Sequence, residues 1–370
     1  MHMADALLSP TVGGTMWAVS AGTIAFCSRK IRRDTDDSKI PLMGVLGAFI
    51  FAAQMINFTI PVTGSSGHLG GGMILAILLG PYAAFLTIAS VLMVQALFFA
   101  DGGLLALGCN IFNLGFFPAF IAYPFIYKKM IGSQPSVTRL TVASIIAAIV
   151  GLQLGAFGVV LETIFSGISS LPFPTFVAVM QPIHLAIGII EGLVTASVVS
   201  FVYKARPEIM QSAMESHPIG SYSVRSVALA FLVAAIITGG IVSWFASTNP
   251  DGLEWAITKV TGKEELDGPK QGLHAALSTL QERVSFLPNY AFKKPAEATN
   301  VVIEHTQPLP SVQTGQKAGA ATSHFETTVA GLVGGASTLV IAFLIGAILK
   351  RRGQTEYAKK RSEQTGNCKP

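Results

Sequence analysis

The first two residues of the chain, Met1 and His2, together carry three nitrogen atoms that could bind one metal ion. Initiator methionine is normally removed only when the second residue is small, so a histidine there predicts that Met1 keeps its free α-amine. The α-amine, the backbone amide nitrogen of His2 and the His2 imidazole can then close two fused chelate rings on a single ion. Planar nitrogen ligation of this kind suits Ni(II) or Cu(II) better than Zn(II).

One further imidazole would complete a four-nitrogen site, and His68 is a candidate for it. His68 lies in the glycine- and serine-rich segment 61–72, at a predicted membrane boundary. Non-helical backbone at membrane depth is tolerated only where protein buries it or a cavity solvates it. A histidine there is either a ligand or a hydrogen-bond donor at a helix end. His2 taken alone is better interpreted as an incidental residue in a frayed terminus.

The composition places the chain in a membrane. Hydrophobic residues make up 51% of it and charged residues 12%, about half of the roughly 25% charged residues of a soluble domain. No Lys or Arg occurs between residues 40 and 127 or between 140 and 203. Such stretches indicate bundles of spanning helices, each of ~20 mostly apolar residues. The basic residues therefore indicate membrane orientation and not nucleic-acid binding.

The Lys and Arg residues cluster in four runs, and these predict the topology. The runs are 29–39, 128–139, 204–225 and 350–369, which hold 18 of the 25 basic residues. Assigning all four to the cytoplasm predicts an extracytoplasmic N-terminus, a cytoplasmic C-terminus and nine spans. The predicted spans are 11–28, 41–60, 71–80, a fourth ending at 100, a fifth ending at 127, a sixth ending at 166, a seventh ending at 203, 225–247 and 326–349. The third is short enough to be a re-entrant segment instead.

The predicted fold is thus an all-α polytopic membrane protein. A seven-helix bundle is followed by a two-helix transmembrane hairpin whose long extracytoplasmic loop covers residues 248–325. Within the bundle, Glu162, His184 and Glu191 are ionisable groups where charge is costly, so each is either functional or a packed, paired polar residue. No phosphate-binding loop followed by Lys and Ser/Thr occurs, so the chain is not expected to hydrolyse ATP itself.

A function of another class, a polytopic intramembrane metalloenzyme or hydrolase, would use His184 and Glu191. These residues are seven apart and share roughly one helix face. The sequence offers no accompanying set of nucleophile, base and orienting group, which disfavours an enzyme.

Two segments resemble a known family. Residues 1–10 (Met-His-Met-Ala-Asp-Ala-Leu-Leu-Ser-Pro) resemble the opening of the CbiM/NikM proteins, and residues 61–72 with His68 resemble their second metal-binding segment. These proteins are substrate-binding (S) components of energy-coupling-factor (ECF) transporters for nickel and cobalt. Ala4 and Asp5 depart conservatively from the larger apolar residue and the Glu that relatives often carry. Residues 249–255 (Asn-Pro-Asp-Gly-Leu-Glu-Trp) resemble the PDGLE signature of the NikN-type accessory subunit, so the whole chain resembles a NikMN fusion.

The resemblance implies a metal site and a set of partners. The Met1 amine, the His2 amide and imidazole, and the His68 imidazole would bind one transported ion in a plane. A transmembrane coupling (T) protein and two ABC ATPase subunits would act with this chain in the cell membrane, without a catalytic cofactor. We expect the cargo to be Ni(II), with Co(II) uptake for cobalamin biosynthesis as the alternative.

The expected domains follow from the same resemblance and the predicted spans. They are a metal-binding membrane domain (1–205), a cytoplasmic linker (206–224), a NikN-type module (225–350) and a cytoplasmic basic tail (351–370). The histidines of the module are widely spaced, and His274 is expected in a solvent-facing loop. We therefore expect the module to act on the transport cycle and not on intrinsic metal affinity.

Overall fold

Helices make up nearly all of the regular structure. The computed structural model describes residues 2–34, 39–132, 135–215, 223–263, 266, 268–269, 271–293 and 323–366. The helices are α1 (Pro10–Asp34), α2 (Lys39–Gln54), α3 (Gly72–Leu79), α4 (Pro81–Phe98), α5 (Leu107–Ile131), α6 (Val137–Ser166), α7 (Phe173–Ala205), α8 (Pro207–Glu215), α9 (Arg225–Gly240), α10 (Gly252–Thr261), α11 (Gly272–Val284) and α12 (His324–Gly366). Two short strands, β1 (Phe58–Ile60) and β2 (Ser65–Gly67), form an antiparallel hairpin.

Five of these helices are long and apolar enough to cross a membrane: α4, α5, α6, α7 and α12. Two more, α2 and α9, are apolar but shorter. This search covers only the residues that the structure describes. With so little sheet and so many apolar helices, the prediction of an all-α polytopic membrane protein is confirmed.

Helix α5 departs from regular α-helical geometry. Its stretch Phe112–Tyr127 is a π-helix that contains Pro118 and Pro124. A proline inside a helix removes one backbone donor and crowds the preceding turn, and a wider turn relieves that crowding. The irregular stretch also carries Asn113, whose Nδ2 donates to the Glu162 carboxylate at 2.7 Å. Glu162 therefore has a buried polar partner and faces the inside of the bundle.

The last two apolar helices pack against α2 and against each other. Gly239 of α9 and Gly331 of α12 bring the two backbones together, since a Cβ at Gly331 would lie 2.2 Å from the Gly239 carbonyl oxygen. Gly334 leaves room for the buried Phe51 ring of α2, which a Cβ there would meet at 2.0 Å. Small residues at such crossings let membrane helices approach closely. The C-terminal hairpin is thereby docked on the bundle.

Two predicted span ends are wrong, and two predicted segments contain helix. The span predicted over 41–60 ends as a helix at Gln54, and residues 58–60 form β1 instead. The span predicted over 225–247 ends at Gly240 and continues as a 3-10 turn, Val242–Phe245. The predicted outer loop 248–325 contains the helices α10 and α11. Finally, α12 extends to Gly366, well into the segment predicted as a separate tail.

The short third helix, α3, lies wholly inside the protein. Its eight residues are all buried and span about 12 Å, less than half of the ~30 Å hydrocarbon core of a bilayer. Gly71 before it and Gly80 after it have φ values of 76° and 81°, a backbone region that favours glycine. The chain thus turns sharply at both ends of α3, and the turn at Gly71 follows directly on the His68 segment.

Candidate metal centre

The N-terminal segment, residues 2–8, lies inside the protein against the turn that joins α4 to α5. Met3, Leu7 and Leu8 are fully buried. The Met3 amide donates to Asn110 Oδ1 at 2.8 Å, and the Gly103 amide donates to the Met3 carbonyl oxygen at 3.0 Å. These bonds fix the backbone of the segment to the Asn110 side chain of α5 and to the turn before that helix. His2 is therefore an ordered residue in a defined environment and not part of a frayed end.

Asp5 anchors the same segment from its other side. Its Oδ1 accepts a hydrogen bond from the Ala106 amide at 2.9 Å, just before α5 begins. Burial raises the pKa of the Asp5 carboxyl, although hydrogen bonds from the Ala106 and Leu105 amides oppose that effect. A Cβ at Gly103 would overlap the Asp5 carboxylate. Position 103 must therefore be glycine for the N-terminal segment to pack against this turn.

His68 follows the β1–β2 hairpin, and its ring is oriented by the backbone of the next residue. Its Nδ1 lies 3.1 Å from the Leu69 carbonyl oxygen, and a carbonyl can only accept, so Nδ1 carries the proton and Nε2 presents its lone pair. Burial lowers the pKa of His68 to about 3. The imidazole is consequently neutral at ordinary pH, which is the form that binds metal.

The glycines after His68 are held from α7 and α2. The Glu191 carboxylate accepts hydrogen bonds from the amides of Gly70 and Gly71 at 2.9 and 3.1 Å. Gln54 Nε2 donates to the Gly70 carbonyl oxygen at 2.8 Å. The paired carboxylate therefore fixes the turn that carries His68, and Glu191 has a structural partner inside the bundle.

The two histidines predicted as ligands meet, although 66 positions separate them in the sequence. The His2 and His68 rings stack with their centroids 4.9 Å apart and their planes 6° from parallel. Met1, the third residue of the predicted site, lies outside the described residues. Among those that are described, no group of three or more His, Cys, Asp or Glu side chains could hold a metal ion.

Two carboxylates flank the histidine pair, one beside each ring. Asp101 Oδ1 lies 3.2 Å from His2 Nδ1, and Asp251 Oδ2 lies 4.0 Å from His68 Nε2. Burial acts to raise the pKa of Asp101, but the His2 imidazole and the Tyr290 hydroxyl outweigh it and hold that pKa well below its usual range. Asp101 is consequently an anion that only accepts hydrogen bonds. No local sequence pattern indicates that Asp101 faces His2.

The segment that resembles PDGLE packs directly on the His68 hairpin. The Ser66 amide donates to the Pro250 carbonyl oxygen and Ser66 Oγ donates to the Asn249 carbonyl oxygen, both at 2.8 Å. Asp251 caps α10 by accepting from the Leu253 and Glu254 amides, while the Glu254 side chain accepts from the Asp251 amide. This reciprocal capping box stabilises the start of α10 and places Asp251 next to His68.

Helix α11 packs on the N-terminal segment, so the expectation that His274 lies in a solvent-facing loop is wrong. His274 is buried on α11, and its Nε2 donates to the Leu8 carbonyl oxygen at 2.8 Å. Gln281 Nε2 donates to the carbonyl oxygens of Ala96 and Gly102 at 2.9 and 2.7 Å. The outer segment of the C-terminal hairpin is thus a cover over residues 2–8.

A cavity of about 600 Å³ lies between the N-terminal segment and this cover. His2 contributes to its wall, and the carboxylates of Asp101, Asp251 and Glu254 surround it. His2 Nε2 is buried and has no hydrogen-bond partner among the described residues. A cation that reaches this cavity would therefore meet negative charge and an unpartnered imidazole nitrogen.

His184 and Glu191 do not form a catalytic pair. His184 Nδ1 donates to the Met180 carbonyl oxygen at 2.8 Å, while Glu191 holds the glycine turn described above. The His184 ring packs beneath the start of α10, where a Cβ at Gly252 would lie 3.2 Å from its Cε1. Glycine at position 252 thus permits close approach between α10 and α7.

Residues 2–209 match the family described as the cobalt uptake substrate-specific transmembrane region, CbiM. The chain belongs to the CbiM family. Residues 225–351 match the PDGLE domain, so this CbiM-family chain carries a C-terminal PDGLE fusion. Both expectations from the sequence, the family and the fused module, are confirmed.

Named relatives and a solved structure agree with this membership. The chain is 37% identical over 218 residues to a putative metal transport protein of Haloquadratum walsbyi, covering 58% of this chain and 96% of that protein. It is 35% identical over 211 residues to a putative fused nickel transport protein, NikMN, of Archaeoglobus fulgidus, covering 57% of this chain and 68% of that one. A crystal structure of a truncated transition metal transporter matches 55% of this chain and 99% of that chain, at 29% identity and a TM-score of 0.50. The chain is therefore a multi-pass membrane protein of a metal transport family and not an enzyme.

Proposed function

We propose that this chain is the substrate-capture (S) subunit of an ATP-driven ECF importer and that its cargo is Ni(II). The ion would be held by the Met1 amine, the amide and imidazole nitrogens of His2, and the His68 imidazole. The observation that carries the proposal is the parallel stacking of His2 and His68, at 4.9 Å and 6°, within a buried region. Two imidazoles from distant segments converge there without a third side-chain ligand among the described residues.

The Met1 amine and the His2 backbone amide would supply the two donor nitrogens that do not come from side chains. A five-membered ring closes through the Met1 amine and the His2 amide, and a six-membered ring closes through that amide and His2 Nδ1. Fused rings of this size hold their donors in one plane, and a planar nitrogen set favours Ni(II). Co(II) is the second candidate, because the matched family is described by cobalt uptake. The nickel name of the fused Archaeoglobus fulgidus relative supports Ni(II).

The proposal extends to topology and partners. The four basic runs support a cytoplasmic C-terminus and an outward-facing metal site, with the domain boundaries at 205, 224 and 350 predicted from the sequence. A transmembrane coupling protein and two ABC ATPase subunits would convert ATP hydrolysis into release of the ion to the cytoplasm. The buried, neutral His68 supports metal binding itself, since no proton must leave the imidazole before the ion binds.

The test is equilibrium binding of Ni, Co, Cu and Zn to the purified full-length protein, with intact-mass spectrometry to verify that Met1 is present and unmodified. We expect one Ni(II) per chain, bound more tightly than Co(II). A single residue added before Met1 should abolish tight binding without altering thermal stability, because it moves the free amine away from the chelate. The same residue added after Pro370 is the matched control. Unchanged nickel binding with the N-terminal addition would remove the amine from the site.

A further inference from the structure

The C-terminal module reaches the metal centre through a chain of two side chains. Tyr290, in the 3-10 turn Pro288–Tyr290 that follows α11, donates its hydroxyl proton to Asp101 Oδ2. The other oxygen of the same carboxylate, Oδ1, lies 3.2 Å from His2 Nδ1. One carboxylate therefore joins a residue of the module to a proposed metal ligand.

The turn that carries Tyr290 is fixed in place at several points. The Leu287 and Asn289 amides donate to the carbonyl oxygens of Phe98 and Phe99 at 3.2 and 2.8 Å. The Tyr290 ring stacks on Phe99, with centroids 5.0 Å apart and planes 22° from parallel. All of these contacts lie at the end of α4, immediately before Asp101. The hydroxyl is thus delivered to Asp101 by a rigid docking and not by a flexible side chain.

The backbone of this turn adopts a conformation that non-glycine residues rarely take. Asn289 and Tyr290 have φ values of 52° and 60°. Such a conformation persists where surrounding contacts over-determine it, and it is concentrated at functional sites. Here it has a specific result, which is that the Tyr290 hydroxyl points at the carboxylate beside His2.

The orientation of the His2 ring decides which of its nitrogens can bind the ion, and Asp101 is the hydrogen-bond partner of that ring. A six-membered chelate with the His2 amide requires Nδ1, yet in this structure Nδ1 donates to Asp101 and Nε2 is buried without a described partner. A half-turn of the ring about its Cβ–Cγ bond would turn Nδ1 away from Asp101 and bring the Nε2 edge towards it. The Nδ1 proton would pass to the Asp101 carboxylate before the turn and from it to Nε2 after the turn, which leaves Nδ1 with a lone pair for the ion.

We propose that Asp101 is the positioning residue for His2 and that Tyr290 of the C-terminal module holds Asp101 in that role. The inference rests on the proposed function, because it concerns the orientation of a ligand in that site. Ligating imidazoles commonly donate their second ring N–H to a carboxylate, which fixes the ring and raises its basicity. The module thereby contributes to metal binding without supplying a ligand through Tyr290.

The test is a double-mutant cycle with Tyr290→Phe and Asp101→Asn in the full-length protein. Tyr290→Phe keeps the ring that stacks on Phe99 and removes only the hydroxyl. We expect it to weaken Ni(II) binding about 10-fold, at the low end of the range for outer-shell partners of ligands. It should also speed Ni(II) release and shift the visible absorption band of the bound ion. In the Asp101→Asn background, Tyr290→Phe should have little further effect, because the two side chains act as one unit.

The matched control is Tyr203→Phe, which also removes one hydroxyl, here donated to the Pro135 carbonyl oxygen at 3.1 Å and away from the metal centre. It should leave nickel affinity and the absorption band unchanged. Wild-type affinity and spectrum in Tyr290→Phe would overturn the inference, as would an equal loss in both Asp101 backgrounds. A wild-type protein that binds no nickel would instead defeat the proposed function itself.

Discussion

At the scale of single residues, the two histidines of the candidate centre are prepared in different ways. His68 has its Nδ1 committed to the Leu69 carbonyl oxygen, so its Nε2 carries the lone pair that would bind the ion. His2 has its Nδ1 on Asp101 and its Nε2 unpartnered among the described residues. The first ligand is therefore preset by local backbone, while the second depends on contacts from other parts of the chain.

Alanine at either histidine should remove high-affinity nickel binding. His2→Ala and His68→Ala each delete one of four proposed donors, and we expect the dissociation constant to rise by more than about 100-fold, beyond the range typical of outer-shell residues. Equilibrium dialysis or calorimetry on the purified protein measures the change. His324→Ala is the control, since that ring lies at the start of α12 and packs against Trp244, with the ring planes tilted by 46°. Wild-type affinity in His68→Ala would contradict the four-nitrogen site.

Sequence reasoning singled out His2 and His68 as proposed ligands but missed the partners of these two side chains, for a physical reason. His2 and His68 stand at positions that are informative in themselves, the chain start and a glycine-rich break between apolar runs. The contact between Asp101 and Tyr290 joins residues 189 positions apart. No local periodicity or spacing encodes such a pairing, so it emerges only when α11 and the following turn pack onto the end of α4.

At the scale of elements, the hairpin and glycine turn that carry His68 depend on α7. Glu191 supplies both oxygens of its carboxylate to two adjacent backbone amides in a buried environment. Hydrogen bonds to a charged acceptor contribute about 1.5–3 kcal/mol each. The glycines are needed as well, since a Cβ at Gly71 would lie 2.6 Å from the Ile50 side chain.

Glu191→Gln should destabilise this turn. The amide can accept from only one of the two backbone N–H groups and presents a donor to the other, so we expect a loss of about 2–3 kcal/mol. The melting temperature should fall, and nickel affinity should weaken because the turn positions His68. Glu282→Gln on the exposed face of α11 is the matched control. A variant with the melting temperature and affinity of the wild type would show that the carboxylate is dispensable.

The wrongly predicted end of α2 shows that hydropathy alone does not separate a helix from a strand that follows it. The apolar run from Pro41 to Ile60 has the length of one span, but its last part, Phe58-Thr59-Ile60, is aromatic and β-branched. Such residues favour strands, and an apolar run alone does not distinguish a buried strand from a helix. The chain accordingly leaves the helix at Gln54 and forms the hairpin that presents His68.

At the scale of the whole molecule, the C-terminal module packs around the candidate metal centre as well as docking on the bundle. It places Asp251 beside His68, Tyr290 on Asp101 and His274 on the Leu8 carbonyl oxygen. The sequence-based expectation that the module leaves intrinsic affinity unchanged rested on its widely spaced histidines, of which His274 was expected in a solvent-facing loop. Since His274 is buried against the N-terminal segment, we now expect the module to affect affinity.

A chain that ends at residue 210 tests this expectation. The truncated protein should fold, because the Haloquadratum walsbyi relative is matched over 96% of its own length by 218 residues of this chain. We expect it to bind nickel about 10-fold more weakly than the full chain, by loss of outer-shell support, and to exchange amide hydrogens faster at residues 2–8. His274→Ala in the full chain should show the faster exchange with a smaller loss of affinity. Equal nickel affinity in the truncated and complete proteins would indicate that the module acts on the transport cycle alone.

The hydrogen bond between Leu8 and His274 has a consequence for biogenesis. These residues are 266 positions apart, so at 5–20 residues per second Leu8 is made roughly 13 to 53 s before its partner. During that interval residues 2–8 lack their cover, and the nascent chain can present its histidines only in an unfinished arrangement. The cover over residues 2–8 is therefore added late in maturation, and an interrupted chain would be inserted with this segment uncovered.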